Sequence, residues 1–448
     1  MKKTLRRCAA LLLLAWPVGV IAETIVIINV NVLPMHSEQV LTDQTVMIED
    51  GIITRIDGVH DVHIPEDITV IDGTRRYLMP GLAEMHGHVP AAPSEQLDRV
   101  FGLYVANGIT LVRGMLGQPS HLELREQLLA QEVLGPRLIT SGPSFNGRSV
   151  SSPQQAAEMV REQHAAGYDF LKIHPGMTRD EFDEMARVAN ELGIAFAGHV
   201  PADVGLDRAL ASGIATIDHL DGYMQTLIPA NDDPTGGVGG FFGVMLAGQA
   251  DESRIQSAVD ATALAGTWNV PTQSLFEHVV ADWDVDAMIK WAEMRYMPEA
   301  TVQQWAESKR SVLGDDNYEA AVAARAIELR RLMIHAMHET GAGLLLGSDS
   351  PQIFNVPGFA IHRELQMLVD SGLTPYEALK TGTVNPAVFL GRYDEWGSVE
   401  VGKVADLVLL DDNPLEDISA TRRVHGVMLR GRWVSAGDIT ELLETYER

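Results

Sequence analysis

A pair of histidines at the end of an apolar run constrains the fold of this chain more than any other feature. Residues 79–88 read MPGLAEMHGH, so one glycine separates His86 from His88. Alternate side chains of a β-strand share a face, which lets both imidazoles reach one metal ion. Four further candidate ligands follow, each beside an apolar, strand-like run: Lys172, His199, His219 and Asp349. Such a set is typical of a two-metal hydrolytic site.

These candidate ligands fall within a repeated alternation of strands and helices. Short buried strands are predicted at residues 110–113, 137–140, 170–173, 195–199, 216–219, 269–273 and 344–347. Each is followed by a glycine, a proline or a polar loop, and then by a helical pattern. The ligands lie at or near the carboxyl ends of their strands, the face that carries catalytic groups in a (β/α)8 barrel. The sequence therefore predicts an α/β fold with a (β/α)8 TIM-like barrel.

Both ends of the chain differ from this middle part. Short β-rich runs separated by turns fill residues 24–79 and recur from about residue 397. We expect a small β-sandwich domain formed by both chain ends, residues 23–78 and 391–448, around a barrel at 79–390. The stretch from about 282 to 339 is too long for one barrel helix and predicts a helical insertion. The glycines of residues 235–240 predict a flexible loop that can close over the site.

The first 22 residues have the pattern of a secretory signal peptide. Four basic residues precede an apolar run around residues 11–14, and small residues follow at 20–22. The run is shorter than the roughly 20 residues that a spanning helix needs. The single cysteine, Cys8, lies in this segment, so the mature protein would have neither disulfides nor thiolate ligands. We expect a periplasmic or secreted protein.

The net charge of the chain is −27 at pH 7. This charge argues against nucleic acids and anionic membrane surfaces as partners, because both need clustered Lys and Arg. It is typical of solubility in a salty medium rather than of a specific acidic binding face. The expected partner is a small-molecule substrate, and association with further copies of the chain as a homo-oligomer stays open. The hydrophobic content of 46% in this length suffices for a large core and a smaller domain.

The order of these motifs resembles the amidohydrolase superfamily. The resemblance covers nearly the whole mature chain and favours the branch with prolidase-like and imidazolonepropionase-like enzymes. It is carried by Pro80-Gly81-Leu82 before the histidine pair, by GSDSP at residues 347–351, and by GKVADLV at residues 402–408. An HxH pair alone is common by chance, whereas the ordered set is specific. The resemblance implies a barrel whose successive strands carry metal ligands.

The resemblance also implies a role for each candidate ligand. His86, His88 and Asp349 would bind the more buried of two divalent ions, and His199 and His219 the more exposed one. Lys172 would be carboxylated and bridge both ions, since an ammonium cannot ligate a cation whereas a carbamate offers two oxygens. An ordinary ion-paired lysine is the alternative. Zinc is the default metal from the ligand types, although nitrogen and oxygen ligands also accept manganese or cobalt.

The expected reaction follows from these roles. A hydroxide between the metals would attack a carbonyl polarised by the exposed ion, and Asp349 would carry the proton to the leaving nitrogen. Four side chains are candidates for the substrate side of the site. Tyr223 would hydrogen-bond the oxyanion, Arg148 would pair with a substrate carboxylate, and His174 and His278 are substrate-binding candidates. Arg113 is a weaker candidate that has a structural reading as a loop anchor.

The sequence thus predicts an exported metal-dependent amidohydrolase that cleaves a C–N bond in a dipeptide or an N-acyl amino acid. Two alternatives stay open. The same site could open a lactone or a cyclic amide, because the attacking group and the polarised carbonyl are shared. The chain could also be a catalytically idle binding protein, although the complete ligand set argues against this. A mononuclear deaminase would leave Lys172 without a role.

Overall fold

The structure, a computed structural model, describes residues 24–58, 68–229 and 240–448. The predicted signal peptide and residues 235–239 of the glycine-rich loop lie outside the described residues. The first part of the chain consists of strands β1 (Thr24–Val32), β2 (Leu41–Glu49), β3 (Ile52–Gly58), β4 (Thr69–Asp72), β5 (Tyr77–Pro80) and β6 (Leu82–Gly87).

Strands and helices alternate in the middle part, as the sequence predicts. Its elements are α1 (Glu95–Ala106), β7 (Ile109–Gly114), α2 (Ser120–Leu129), β8 (Arg137–Thr140), α3 (Pro153–Ala166), β9 (Phe170–Ile173), α4 (Arg179–Leu192), β10 (Ala195–Gly198), α5 (Leu206–Ala211), β11 (Thr216–Asp218), α6 (Tyr223–Thr226), 3₁₀ turns at Phe241–Leu246 and Glu252–Arg254, α7 (Ile255–Ala265) and β12 (Trp268–Val270).

Helices dominate the part that follows, and three strands return near the end. The elements are α8 (Gln273–Val280), α9 (Val285–Met288), a 3₁₀ turn at Ala292–Tyr296, α10 (Glu299–Leu313), α11 (Ala320–Thr340), α12 (Phe359–Asp370), α13 (Pro375–Gly382), α14 (Val384–Phe389), β13 (Leu407–Leu410), a 3₁₀ turn at Ile418–Arg422, β14 (Val424–Leu429), β15 (Arg432–Val434) and α15 (Ala436–Tyr446). None of the described helices is long and apolar enough to cross a membrane.

Both ends of the chain meet in one sheet. Its strand order is β15-β14-β13-β5-β1-β2-β3, and β4 pairs with β1 outside that path. β13 runs antiparallel to β5, so residues 407–410 pair with residues 77–80. A separate apolar cluster draws on both halves, from Ile27 and Ile53 to Leu407 and Met428. The pairing that brings the two ends together confirms the shared sheet and leaves its two-layer packing as a prediction.

The middle strands form two parallel strips. One has the order β6-β7-β8 and the other β12-β11-β10-β9. Single parallel bridges join the strips between Ser141 and Phe170 on one side. On the other side, residues 344–350 bridge to both strips. Leu344 pairs with Asn269 of β12, and Ser350 pairs with Gly87 of β6. This α/β arrangement is TIM-barrel-like, and residues 344–347 take the place of the last predicted strand without being assigned as one.

Helix boundaries follow from local chemistry. α4 begins at a capping box, in which the Thr178 side chain accepts from the backbone N–H of Glu181 and the Glu181 carboxylate accepts from that of Thr178. It ends at Gly193, whose φ of 71° is left-handed. These signals set where the chain turns back toward β10, and with it where His199 is placed.

The predicted helical insertion divides into two parts. Residues 285–313 form α9, a 3₁₀ turn and α10, and they contribute most of one apolar cluster. The buried side chains of that cluster include Met294, Tyr296 and Trp305, together with Leu103 and Phe354 from outside this range. The long helix α11 then packs against α7 and leads into residues 344–350, so it occupies the position of a barrel helix.

Candidate metal centre

Three of the predicted ligands converge most closely. Ligand atoms of His86, His219 and Asp349 all lie within 4.8 Å of one another, and all three residues are buried. His86 Nε2 is 3.5 Å from Asp349 Oδ1, and His219 Nδ1 is 3.8 Å from Asp349 Oδ2. These side chains come from β6, from the residue after β11 and from the segment 344–350. Residues distant in sequence thus form one pocket of nitrogen and oxygen donors.

The other predicted ligands border this triad. His88 Nε2 lies 2.8 Å from Asp349 Oδ1, and the His199 ring centroid lies 4.7 Å from that of His219. Lys172 is fully buried, with its Nζ 3.1 Å from Asp218 Oδ2. The same Asp218 oxygen lies 3.1 Å from His86 Nδ1. All six predicted ligands therefore belong to one contiguous cluster.

Backbone strain concentrates at this cluster. His219, Leu220, Thr272 and Asp349 have φ between 47° and 64°, a left-handed region that non-glycine residues rarely adopt. Such residues persist only where surrounding structure holds them, and they cluster at functional sites. The strain turns the side chains that follow β11 and precede Pro351 toward the common pocket.

Burial keeps two histidines of the centre, His86 and His219, uncharged. It lowers the pKa of His86 to about 4 and that of His219 well below its usual range. Only a neutral imidazole can offer a lone pair to a metal ion, so both rings are in the ligating form at neutral pH. The donor set is thus chemically suited to a divalent cation.

The carboxylate and the amine of the centre are shifted as well. Burial alone would raise the pKa of Asp349, but its interactions with His86 and His88, including a hydrogen bond to His88, outweigh burial, so the net shift is downward and the group is ionised. Burial lowers the pKa of Lys172, against the opposing charges of Asp218 and Asp349. The amine thus sits where its proton is less strongly held than in water.

Sequence reasoning missed the residues that orient the ligands. Asp221 Oδ2 lies 3.1 Å from His199 Nδ1, and Thr272 Oγ1 lies 2.8 Å from His219 Nδ1. A hydrogen bond to the second ring nitrogen fixes the tautomer and the orientation of a metal-binding histidine. Asp221 stands two positions after His219, and no pattern in the sequence links it to His199.

Sequence reasoning also missed Glu84 and Ser348, which hold the backbone next to the histidine pair. Glu84 accepts from the backbone N–H groups of His86 and Ser348, and from the Ser348 hydroxyl. Burial raises the pKa of Glu84 to about 8. Glu84 stands two residues before His86, at the same spacing as the histidine pair, and this is the signal that could have revealed it.

The predicted substrate residues are not all at the centre. The ring of His174 lies 5.2 Å from that of His199, and Arg148 is exposed on the loop after β8. Tyr223 is fully buried, and its hydroxyl lies 2.8 Å from Thr262 Oγ1 on α7. His278 is fully buried between Trp283 and Trp291. In the structure the Tyr223 hydroxyl thus pairs with Thr262 and the His278 ring is packed in the core, and their assignment to the substrate stays a prediction.

Arg113, the weaker candidate, has a structural role. Its guanidinium donates to the backbone oxygen of Met85, to Thr216 and to Asp218. It is fully buried between the rings of Phe170 and Phe389. Arg113 thus neutralises the Asp218 carboxylate that contacts Lys172 and His86.

A cavity of about 850 Å³ opens next to these ligands. His199 and Asp221 line one part of it, together with Phe242. The Phe242 ring stacks on His219 at 4.6 Å between centroids, with 14° between the ring planes. The cavity gives small molecules a route to the exposed side of the ligand cluster.

A model of the amidohydrolase family matches residues 77–434 of the chain. Among curated proteins, imidazolonepropionase of Shouchella clausii (strain KSM-K16) is 33% identical over 112 residues, which cover 23% of this chain and 24% of that protein. Ochratoxinase of Aspergillus niger is 37% identical over 82 residues, which cover 18% of this chain and 16% of that protein. The matched segments thus span about a quarter of these relatives or less.

Solved structures match over nearly the full length. A Xaa-Pro dipeptidase with bound methionine in its active site aligns at a TM-score of 0.66 and 20% identity, covering 92% of this chain and 100% of that one. The bottromycin amidohydrolase AH aligns at a TM-score of 0.71 and 21% identity, covering 94% and 90%. At these identities, the likeness concerns the fold.

Proposed function

The chain belongs to the amidohydrolase family, and from this premise we propose that it hydrolyses a C–N amide bond in a small substrate with the help of two divalent metal ions. The observation that carries the proposal is the convergence of His86, His219 and Asp349, with His88, His199 and Lys172 in contact around them. A strained backbone, neutral buried imidazoles and an ionised buried carboxylate at one point are typical of functional sites.

The residues present fit two divalent ions. His86, His88 and Asp349 would hold one ion, and His199 and His219 the other, with Lys172 between them. When bound, the ions would supply an acidified water and a polarised carbonyl. Zinc is the metal we propose, because imidazole and carboxylate donors suit it, with manganese or cobalt as substitutes.

Lys172 would act as a carbamate. Its neutral amine would add to carbon dioxide, forming a C–N bond and releasing one proton, and the product is a bidentate oxygen anion. The lowered pKa of this buried amine favours the reaction, because only the unprotonated nitrogen is a nucleophile. In the structure, the Lys172 amine forms an ion pair with Asp218 at 3.1 Å. Once Lys172 is a negatively charged carbamate, Arg113 would balance the charge of Asp218.

Asp349 would move the proton. Its carboxylate lies between His88 and His219, in contact with both rings. It would take up the proton of the attacking water and return it to the departing nitrogen. Proton return matters for amides, since an amine leaves poorly as an anion.

We propose a dipeptide or an N-acyl amino acid as the substrate. Among the structural matches, one is a dipeptidase and one an amidohydrolase, and both have amide substrates by name. The imidazolonepropionase match keeps a cyclic amide as the second candidate, with a lactone beside it. Of the candidate substrate contacts, His174 lies beside His199, where it would meet a bound substrate.

Two finer features of the molecule belong to this proposal. We infer that the two strips and residues 344–350 close into a (β/α)8 barrel at residues 79–390, and that the end sheet folds into a small sandwich. We also propose export to the periplasm or the medium with cleavage after Ala22. N-terminal sequencing should then find Glu23 first, and a membrane-bound form that retains Met1 would contradict it.

The test is an activity screen with metal analysis. The zinc-loaded protein should contain about two ions per chain, as the six donors imply, and it should hydrolyse members of a library of dipeptides and N-acyl amino acids. Lactones and cyclic amides are screened alongside. One ion at saturation would remove the two-metal mechanism, and turnover of lactones or cyclic amides alone would overturn the choice of substrate.

A further inference from the structure

The cavity beside His199 has an apolar wall and a charged rim. Val200, Val204, Leu206 and Phe241 line it together with Phe242. Two arginines, Arg179 and Arg208, also face it from the starts of α4 and α5. A volume of about 850 Å³ is larger than one water or a carbonyl group needs, and lies in the range of drug-sized ligands.

Phe242 forms the boundary between this cavity and the ligand cluster. Its ring is stacked on His219 and lies 5.8 Å from His199, at an angle of 26°. Its φ of 47° is left-handed, and a Cβ on the next residue, Gly243, would lie 2.8 Å from the Met224 Cβ. The tight turn thus holds an aromatic side chain against the imidazoles, where an apolar group beside a scissile bond would pack.

The two arginines differ in their partners. Arg208 Nε lies 2.7 Å from Asp183 Oδ1, so its charge is already balanced. At Arg179, it is the backbone N–H that donates to Asp203, and no acidic side chain of the described residues forms an ion pair with its guanidinium. Asp207 and Asp221 line the cavity as well, and Arg179 is the cavity arginine whose guanidinium has no ion-pair partner among the described residues.

We propose that this cavity binds the amino-acid part of the substrate, with an aromatic or large apolar side chain against Phe242 and a free carboxylate at Arg179. The inference rests on the proposed function and narrows its substrate to amides of hydrophobic α-amino acids. Arg179 takes the carboxylate in place of Arg148, because Arg179 lines the cavity and Arg148 does not.

A binding measurement tests the subsite without relying on turnover. The probes are 3-phenylpropanoate, its uncharged analogue 4-phenyl-2-butanone, and propanoate, each titrated into zinc-loaded protein by calorimetry. The wild type should bind 3-phenylpropanoate about tenfold or more tighter than either analogue, since one charge-assisted pair and one buried ring are each worth that much.

The variants assign each contact. Arg179→Gln should abolish the advantage of the carboxylate, and Phe242→Ala should abolish that of the phenyl ring while Phe242→Leu keeps part of it. Arg148→Gln and the exposed Arg161→Gln are matched controls that should keep the wild-type pattern. A carboxylate preference that survives Arg179→Gln, or that disappears in Arg148→Gln, overturns the assignment. So does a wild type without preference among the probes.

Hydrolysis separates this inference from the proposed function. For N-acetyl-L-phenylalanine, Arg179→Gln should raise KM about tenfold with kcat little changed, because the contact is remote from the reacting bond. If the probes bind as expected but no amide is hydrolysed, the proposed activity is wrong and the subsite stands. If the variants hydrolyse amides at wild-type KM, the subsite is wrong and the activity stands.

Discussion

At the scale of single residues, the centre is a set of charges that compensate one another. Lys172 and Arg113 face Asp218, while Asp349 faces the imidazoles of His86 and His88. A buried charge without a partner costs several kcal/mol, so each group depends on the others. Removal of one member therefore changes both the affinity for metal and the chemistry.

Lys172→Ala tests the carbamate. We expect loss of most of the metal and of nearly all activity, because the bridging oxygens disappear. Acetate or propionate with bicarbonate should restore part of both by filling the vacated space. Metal content is measured by atomic absorption. Turnover is measured with the best substrate from the screen.

Lys309→Ala is the matched control for losing a buried lysine. Lys309 is also fully buried, but it donates to the backbone oxygens of His278 and Ala281. Its removal should lower stability and leave the metal content unchanged. Wild-type metal and turnover in Lys172→Ala would disprove the carbamate.

Asp349→Asn separates ligation from proton transfer. The amide keeps one oxygen donor but cannot accept a proton, so metal content should fall little. Turnover of an amide should drop by about 10²–10⁴-fold, the usual contribution of general acid-base catalysis. A matched ester should lose less, because its leaving oxygen needs less protonation. Equal losses on both substrates would show that Asp349 does not protonate the leaving group.

Individual ligands could be predicted because each stands beside a strand-like run, whereas their supporting residues could not. Asp221 and Thr272 act through hydrogen bonds to His199 and His219 that exist only once separate loops are folded together. The position of Tyr223 four residues after His219 predicts a role at the metal. The sequence could not show that its hydroxyl lies beside Thr262 on α7.

At the scale of elements, glycines end the strand that leads to His199 and the helix before it. Gly198 precedes His199, has a φ of 130°, and a Cβ there would lie 2.4 Å from the Ile173 backbone oxygen. Gly193, at the end of α4, has a φ of 71° and open space around the same position. The two glycines share a backbone requirement but differ in steric surroundings.

Gly198→Ala and Gly193→Ala therefore form a matched pair. Gly193→Ala should cost about 1 kcal/mol, the price of a left-handed alanine. Gly198→Ala should cost clearly more and should displace His199, with loss of metal. Urea unfolding and metal analysis measure both effects. Equal destabilisation with metal retained in both variants would show that β10 tolerates a side chain at its end.

The order of strands could be predicted from the apolar runs and from the turn and capping residues between them, because buried parallel strands are apolar and their helices begin at caps. The last predicted strand, at residues 344–347, is extended and bonded on both sides without a regular ladder. The division of residues 282–339 was missed because the whole stretch has a helical pattern. Only tertiary packing distinguishes α10, which packs with α8 and α9, from α11, which packs against α7.

At the scale of the whole molecule, buried histidines make stability depend on pH. Burial lowers the pKa of His362 to about 3, and its Nδ1 lies 3.0 Å from Thr421 Oγ1, on elements that carry none of the predicted ligands. The pKa of His86 falls to about 4 for the same reason. The unfolded chain binds protons at these sites below about pH 6.5, while the folded chain does not.

Metal-free protein should therefore lose stability as the pH falls from 7 toward 4. Each such histidine contributes about 2 kcal/mol of this loss between pH 7 and pH 5. Urea unfolding at several pH values measures it. His362→Gln should reduce the slope, and the exposed His164→Gln should not. A slope unaffected by His362→Gln would show that the ring is protonated without unfolding.

The pairing of β13 with β5 has a consequence for how the chain is made. Residues 77–80 pair with residues 407–410, so more than three hundred further residues must be synthesised before this ladder can form. Until then, one edge of the N-terminal strands has unpaired backbone groups, which are a template for aggregation. A ribosome-bound chain is thus prevented from completing its native state early. Under the export proposed above, the chain would pass through a membrane channel before it folds, and this delay would then be an advantage.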